Sequence, residues 1–219
     1  VGDALGDGEI EKRHARNDGI EHGVALVAQR LVQVEGVTMD DLANDIQEIL
    51  LSESQIQQRV CELGGRISAD YAGQNPLLLC VLKGGYVFLA DLTRCLTIKH
   101  DVDFMAISSY GDGTESSGVV HILKDLDRDI SGRHVLVVED IIDTGRTLAY
   151  LLQNLRVRQP ASLKVCTLLN KPSRREIHLD VDYTGFEIPD RFVIGYGLDF
   201  AGHYRNLRFV GVLKPEVYT

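Results

Sequence analysis

Residues 135–148 read VLVVEDIIDTGRTL, and no other segment indicates the fold as strongly. Four apolar residues precede Glu139 and Asp140, and a turn containing Thr144 and Gly145 leads into a helix predicted over residues 147–157. A continuous apolar run is typical of a strand that is covered on both faces of a parallel sheet. The segment therefore predicts a strand, a turn and a helix in succession, which is the repeating unit of α/β proteins.

The same alternation extends on both sides of this segment. Ser52 and Gln55 form a capping box at the start of a helix, whose apolar residues recur at helical spacing as Ile56, Val60, Leu63, Ile67 and Tyr71. Residues 77–82 form a second apolar strand, and a Lys-Gly-Gly turn at 83–85 precedes a helix over 86–96. Further strands are predicted at residues 102–109, 119–123, 134–138, 163–169, 192–194 and 209–213.

Buried strands that alternate with helices predict an α/β fold with a doubly wound, mainly parallel sheet. Ligands of such sheets bind beyond the carboxyl ends of the strands, where the loops open a crevice. The loops at 83–85, 139–147 and 170–172 each follow a predicted strand at this position. We therefore expect the functional residues to lie in these three loops.

Composition and charge exclude several other classes. The chain has 219 residues, of which 44% are hydrophobic and 25% charged, and its net charge is −9. Residues 1–50 carry eleven acidic and four basic side chains, so most of the acidity lies at the N-terminal end. A duplex-binding protein shows a basic face instead, and no apolar run approaches the roughly 20 residues that span a bilayer. We expect a soluble cytoplasmic protein that binds neither nucleic acid nor membrane.

Two further expectations concern the N-terminal end and the cysteines. Residues 1–38 are expected to form a loosely attached extension, and residues 39–219 to form the domain. The four cysteines include no CxxC pair and no histidine at zinc-ligand spacing. We expect Cys61, Cys80, Cys95 and Cys166 to be reduced, buried thiols, as is usual in the cytosol.

The turn after residue 142 has the chemistry of a phosphate site. A helix N-terminus presents unpaired backbone N–H groups at the positive end of the helix dipole, and Thr144, Gly145, Arg146 and Thr147 lie there. The preceding acidic pair can accept hydrogen bonds from vicinal sugar hydroxyls or hold a hydrated Mg²⁺. Each piece alone is common in α/β proteins, but the joined pattern describes a site for a phosphorylated ribose.

This pattern resembles the phosphoribosyl pyrophosphate (PRPP) signature of the type I phosphoribosyltransferases. The resemblance extends over residues 46–214, in the order and spacing of the hypoxanthine-guanine branch, through the segments LKGG at 82–85, SSYG at 108–111, LNKP at 169–172, DRFVIGYGLD at 190–199 and YRNL at 204–207. It implies the family's fold, with a small hood subdomain and a mobile loop. It also implies transfer of a phosphoribosyl group from PRPP to N9 of hypoxanthine or guanine, with Mg²⁺ as cofactor.

The resemblance assigns roles residue by residue. Asp143 exchanges a proton with the purine N7 and is the catalytic residue. The PRPP-binding residues are Glu139, Asp140, Asp143, Thr144, Gly145, Arg146 and Thr147. The pyrophosphate is held by Lys83, Gly84, Ser109, Tyr110 and Arg205. Lys171 donates to the purine O6, Phe192 stacks on the base, the Val193 backbone reads its edge with Asp199 nearby, and the metal ligands are Glu139, Asp140 and Asp199.

The family also implies a homodimer or homotetramer, a lid formed by the polar segment 109–118, and a peptide bond after Lys83 that can be cis.

One departure from the family's pattern is Arg146, where lysine is common in the mammalian branch; the two are not equivalent donors. Two alternatives stay open: a regulatory PRPP sensor of the same fold and a xanthine-preferring transferase. Adenine is disfavoured because its amino group would face the Lys171 donor.

Overall fold

The computed structural model describes residues 44–109 and 120–217. The predicted extension over residues 1–38 and the predicted lid beyond Ser109 therefore lie outside the described residues, and both stay predictions. Within the described part of the chain, no helix is long and apolar enough to cross a membrane.

A six-stranded sheet forms the centre of the fold. Its strand order is β4-β3-β2-β5-β6-β7, with β2 at Leu77–Leu82, β3 at Asp101–Ser109, β4 at Val120–Lys124, β5 at His134–Ile142, β6 at Ser162–Asn170 and β7 at Tyr183–Glu187. All neighbouring strands are parallel except the antiparallel pair β3 and β4. The predicted mainly parallel sheet is confirmed.

Helices cover both faces of this sheet. Helix α1 spans Glu53–Asp70, α2 spans Tyr86–Cys95 and α3 spans Arg146–Val157, and short 3₁₀ helices occupy Pro172–Arg174 and Pro215–Val217. One apolar cluster joins α1 and α2 to the side chains on one face of the sheet. A second cluster joins α3 to the other face. The fold is doubly wound, as predicted.

Helix α1 begins where the sequence predicts it. The Ser52 N–H donates to Gln55 Oε1 at 2.9 Å, and the Gln55 N–H donates to Ser52 Oγ at 3.4 Å, which completes the capping box. The predicted apolar stripe from Ile56 to Tyr71 is buried along its whole length. Burial of this stripe fixes the face that α1 turns towards the sheet.

A second, antiparallel sheet of three strands has the order β1-β9-β8. It consists of β1 at Ile46–Leu51, β9 at Val210–Leu213 and β8 at Val193–Ile194, and it corresponds to the predicted hood. Neither β1 nor β7 was predicted from the sequence. Strand β1 carries a polar centre and pairs with β9, more than 150 residues away, so its local pattern indicates no strand.

Strand β5 is longer than predicted. The apolar pattern ends at Val138, but pairing with β6 continues to the partners Ile142 and Asn170. Glu139 and Asp140 therefore lie within the strand rather than in the turn after it. The predicted turn was wrong at this point because backbone pairing with a long neighbouring strand overrides the local change to polar residues.

The prediction of four reduced, buried thiols is wrong for two of them. Cys61 on α1 and Cys95 at the end of α2 form a disulfide, with Cα atoms 5.0 Å apart. Gly64 permits this close approach, since a Cβ on it would lie 2.7 Å from Cys95 Cβ. Cysteine spacing alone does not reveal which helices meet. Cys80 and Cys166 are free and buried, and burial raises the pKa of Cys80 to about 12.

Candidate active site

The turn between β5 and α3 is built to bind an anion. Gly145 precedes the helix with a left-handed backbone, φ +84°, which a residue without a side chain adopts at little cost. The Ala149 N–H donates to the Gly145 carbonyl oxygen at 2.9 Å, which is the first hydrogen bond of the helix. The N–H groups of the first helical turn have no partner within the helix, although that of Arg146 donates to Thr144 Oγ1 at 3.4 Å. The positive end of the helix dipole lies at this turn, which suits it to a phosphate.

This turn lines a cavity of about 290 Å³ at the carboxyl end of the sheet. Its polar lining comes from Gly84, Glu139, Asp140, Asp143, Thr144, Gly145 and Thr147. We call it the phosphate-side cavity. The sequence predicted all seven of these residues to be in the site, and the structure brings them together.

Burial disfavours the charged forms of the acidic pair in this cavity. Burial raises the pKa of Glu139 well above its ordinary range, and the neighbouring Asp140 raises it further. Burial also raises the pKa of Asp140 to about 6, although the Ile141 N–H donates to this carboxylate at 2.8 Å. Two carboxyl groups in this state are suited to hydroxyl donors or to a cation, because either would stabilise their charged forms.

A second cavity of about 320 Å³ adjoins the first. It is lined by Lys83, Gly84, Asp140, Ile141, Asp143, Lys171, Phe192, Val193, Leu198, Asp199 and Arg205. We call it the purine-side cavity. The two cavities share Gly84, Asp140, Ile141 and Asp143, so Asp143 faces both.

Close packing explains why residue 84 has no side chain. A Cβ on Gly84 would lie 1.5 Å from Asp140 Oδ2, and a Cβ on Gly197 would lie 2.2 Å from the Gly84 carbonyl oxygen. The turn after β2 is therefore held between β5 and the loop after β8. The family implies only that the bond after Lys83 can be cis; in this structure the cis bond is Leu82–Lys83, one bond earlier. Neither bond involves proline, so the sequence carries no signal for the isomer.

Lys171 is a buried cation in the purine-side cavity. Its side chain is only 7% exposed, and its Nζ lies 3.7 Å from Asp143 Oδ2 and 3.8 Å from Asp190 Oδ1. Two carboxylates thus offset the cost of burying the ammonium group. A Lys held in this way presents N–H donors to an oxygen acceptor in the cavity.

Two residues of this region were missed by the sequence reasoning. Arg174 Nε donates to Asp143 Oδ1 at 3.2 Å and lies 3.8 Å from Asp190 Oδ1. The next residue, Arg175, donates from Nη2 to Asn170 Oδ1. The available signal was the pair of arginines three and four residues after Lys171, in the loop that follows β6.

Another part of the lining of the purine-side cavity is polar. Arg205 Nη2 lies 2.6 Å from Asp199 Oδ1, and Arg205 Nη1 donates to the Gly197 carbonyl oxygen at 2.6 Å. The Gly202 N–H donates to Asp199 Oδ2 at 2.8 Å. These bonds fix a guanidinium group and a carboxylate at the cavity wall, which can hold a polyanion and a cation respectively.

Phe192 and Val193 form the remaining wall. The Phe192 ring is 46% exposed and meets Phe200 edge-on, with ring centroids 5.8 Å apart. Val193 is buried in β8. A large aromatic face that stays exposed at a cavity mouth is suited to stacking on a planar ligand.

The structure does not bring every predicted residue to the cavities. Arg146 forms an ion pair with Glu176 at 2.5 Å and lines neither cavity. The side chain of Ser109 and all of Tyr110 lie outside the described residues, so their pyrophosphate contacts stay predictions.

The described residues contain no group of three or more His, Cys, Asp or Glu side chains placed to hold a metal ion. Mg²⁺ does not require such a group, because it commonly takes one or two carboxylates together with water and substrate phosphates. The carboxylates of Asp140 and Asp199 both line the purine-side cavity, and the acidic pair favours a cation. The donor set therefore fits Mg²⁺.

The family model of the phosphoribosyl transferase domain matches residues 47–201. The chain belongs to the phosphoribosyltransferase family.

Relatives within the family are hypoxanthine-guanine phosphoribosyltransferases. The enzyme of Mycobacterium avium is 49% identical over 202 residues, which are 90% of this chain and 98% of that protein. The enzyme of Streptococcus agalactiae is 52% identical, covering 81% of this chain and 99% of that protein. A solved hypoxanthine phosphoribosyltransferase from Staphylococcus aureus superposes with a TM-score of 0.79 at 43% identity, covering 85% of this chain and all of that one.

Proposed function

We propose that the chain is a purine salvage enzyme that transfers the 5-phosphoribosyl group from PRPP to N9 of hypoxanthine or guanine. The products are IMP or GMP and pyrophosphate. The observation that carries the proposal is the pair of adjoining cavities with Asp143 in their shared wall. One cavity has the donors and acids that suit a phosphorylated ribose, and the other has the cation and aromatic face that suit a 6-oxopurine.

In the phosphate-side cavity, the amides of the turn at Thr144–Thr147 are proposed to bind the 5′-phosphate. Glu139 and Asp140 accept hydrogen bonds from the ribose hydroxyls, which would stabilise the charged forms that burial disfavours. These contacts place C1′ at the boundary between the two cavities. Fixing both reactants in this way supplies much of the expected rate enhancement.

In the purine-side cavity, Lys171 is proposed to donate to the purine O6, and Phe192 to stack on the base. Lys171 is buried between two carboxylates in this cavity, which supports this role, because its ammonium group is held there as a fixed donor. Arg205 and the turn at Lys83 and Gly84, which line the same cavity, are proposed to hold the pyrophosphate.

The reaction forms the N9–C1′ bond and breaks the bond from C1′ to the pyrophosphate oxygen. The purine loses one proton, which we propose passes from N7 to the Asp143 carboxylate. Lys171 and Arg174 both lie beside this carboxylate, so it has positively charged neighbours before the proton arrives. Asp143 then acts as general base in synthesis and as general acid in the reverse direction.

We propose Mg²⁺ as the cofactor, held by Asp140 and Asp199 with Glu139 as a further oxygen donor. When bound, the ion supplies positive charge that offsets the charge of the departing pyrophosphate. A cytoplasmic location and a homodimeric or homotetrameric assembly stay predictions.

The test is a direct assay of the purified chain with PRPP and Mg²⁺, in which pyrophosphate release is followed with hypoxanthine, guanine, xanthine and adenine separately. We expect release with hypoxanthine and guanine and none above background with adenine. The control omits the base, which separates transfer from PRPP hydrolysis. No release with any base would contradict the proposal, and release with xanthine alone would favour the xanthine-preferring alternative.

A further inference from the structure

The loop after β6 supports the phosphate-binding turn from outside the cavity. The N–H groups of Glu176 and Ile177 donate to the Thr144 carbonyl oxygen at 3.0 and 3.3 Å. The Lys171 N–H donates to the Ile142 carbonyl oxygen at 3.0 Å. We call residues 171–177 the bracing segment, because its backbone is bonded to the turn at both ends.

Arg175 is the residue of the bracing segment that lies directly against Gly145. A Cβ on Gly145 would lie 3.2 Å from both Cδ and Nη1 of Arg175, and 3.0 Å from Leu179 Cδ1. Nη2 donates to Asn170 Oδ1 at the end of β6. The guanidinium group therefore spans from the central sheet to the glycine of the turn, but it does not line either cavity.

One donor of this guanidinium group is unused. Nη1 is buried and has no hydrogen-bond partner among the described residues. Leaving a buried donor unpaired costs stability, so the arrangement needs a compensating benefit. A positive charge held behind a turn whose amides point at an anion adds to the field of the helix N-terminus, and low local dielectric strengthens its effect.

We propose that Arg175 is a positioning residue that makes the turn selective for ligands with a terminal phosphate. Its charge stabilises the phosphate through the turn, and its rigid bridge from Asn170 holds Gly145 in the binding conformation. The inference rests on the proposed function, since it assigns the phosphate-side cavity to a phosphate group. It predicts that the loss of Arg175 weakens binding of a nucleotide but not of the matching nucleoside.

The experiment measures dissociation constants of GMP and guanosine by isothermal titration calorimetry. The ratio of the guanosine constant to the GMP constant reports what the phosphate contributes. Arg175→Met should lower this ratio by about tenfold while the guanosine constant stays unchanged. In the transfer assay the same variant should raise the KM for PRPP by about tenfold and change kcat by less than about twofold.

Two further variants make the result specific. Arg175→Lys keeps the charge without the planar fork, so its ratio should fall by about threefold, and this variant carries the test if Arg175→Met does not fold. Arg158→Met is the matched control: Arg158 is also partly buried and bonded to Asp125 and Asn154, beyond the far end of α3. Its ratio should equal that of the unmodified chain.

The outcomes separate the inference from the proposed function. An unchanged ratio in both Arg175 variants would overturn the inference, as would an equal loss of GMP and guanosine binding, which indicates general structural damage. If the unmodified chain bound GMP no better than guanosine, the proposed function itself would fail.

Discussion

The two cavities of the site differ in how the chain builds them. The phosphate-side cavity takes most of its polar lining from one continuous segment, residues 139–147, which includes the end of β5 and the start of α3. The purine-side cavity combines side chains from loops after β2, β5, β6 and β8. A contiguous segment can be recognised in a sequence, whereas the second cavity exists only after distant loops meet.

They also differ in how their charges are balanced. In the phosphate-side cavity, burial raises the pKa values of the neighbouring carboxyl groups of Glu139 and Asp140. In the purine-side cavity, Lys171 lies between Asp143 and Asp190 and is compensated before any ligand arrives. The carboxyl groups of the phosphate-side cavity are therefore suited to bind donors or a cation that arrive with the substrate, whereas Lys171 presents a fixed donor to the substrate.

The largest effect is expected at the wall that both cavities share. Asp143→Asn should lower kcat by about 10²- to 10⁴-fold, because the amide cannot accept the purine proton. Binding of PRPP, measured by calorimetry, should persist since the turn amides remain. The matched control is Asp180→Asn, at a side chain that is 99% exposed. An unchanged kcat in Asp143→Asn would remove Asp143 from the mechanism.

A substitution in the purine-side cavity should weaken recognition of the base and leave the binding of PRPP unchanged. Lys171→Met should lower kcat/KM for hypoxanthine by about 10- to 100-fold, the range for losing a hydrogen bond from a charged donor. Release with adenine should stay at background, and the KM for PRPP should stay constant. Lys99→Met changes an exposed lysine and serves as the control. If the KM for PRPP rose instead, Lys171 would act on PRPP rather than on the purine, which would contradict its proposed role.

A substitution at the glycine of the phosphate-side cavity should lower stability, because the backbone there is left-handed. Gly145→Ala should lower the free energy of unfolding by about 1–2 kcal/mol for its left-handed conformation. The contact with Arg175 and Leu179 should cost at least about 1 kcal/mol more. Gly132→Ala is the control, since Gly132 has φ +70° but nothing within 4 Å of its added Cβ. Urea denaturation measures the free energy of unfolding of both variants. Equal decreases in Gly145→Ala and Gly132→Ala would show that the bracing segment moves aside freely.

The smallest effect concerns pH. Burial raises the pKa of Asp140 from 3.8 to about 6, so the folded state binds more protons than the unfolded state between these values. Stability from this group is therefore complete below about pH 4 and falls as pH rises through 6. Without metal, the melting temperature should drop over this interval by about 5 °C more in the unmodified chain than in Asp140→Asn. Parallel curves for the two proteins would contradict the raised pKa.

Local signals predicted most of the central fold. The apolar runs of β2 and β5 and the capping box of α1 lie where expected because burial and capping act over a few residues. Strand β1 was missed because its pairing with β9 depends on the far end of the chain. The Cys61–Cys95 disulfide was missed for the same reason, since it depends on where two helices cross.

The site shows the same division. The residues of the turn from Asp143 to Thr147 could be interpreted directly, because a glycine and hydroxyls at a helix start have a local chemical meaning. Lys171, Phe192 and Arg205 acquired a role only through the resemblance to a family. Arg174, Arg175 and Asp190 had no role until their positions beside Asp143, Gly145 and Lys171 were known.

By itself, the order of residues determined a parallel α/β sheet and an anion-binding turn after its central strand. Both follow from hydrophobic patterning and from backbone amides left unpaired over a few consecutive positions. Only the tertiary structure decided which carboxylates surround the buried lysine, which arginine supports the turn and which cysteines join. These contacts join residues far apart in the chain, and their geometry depends on how whole strands and helices pack.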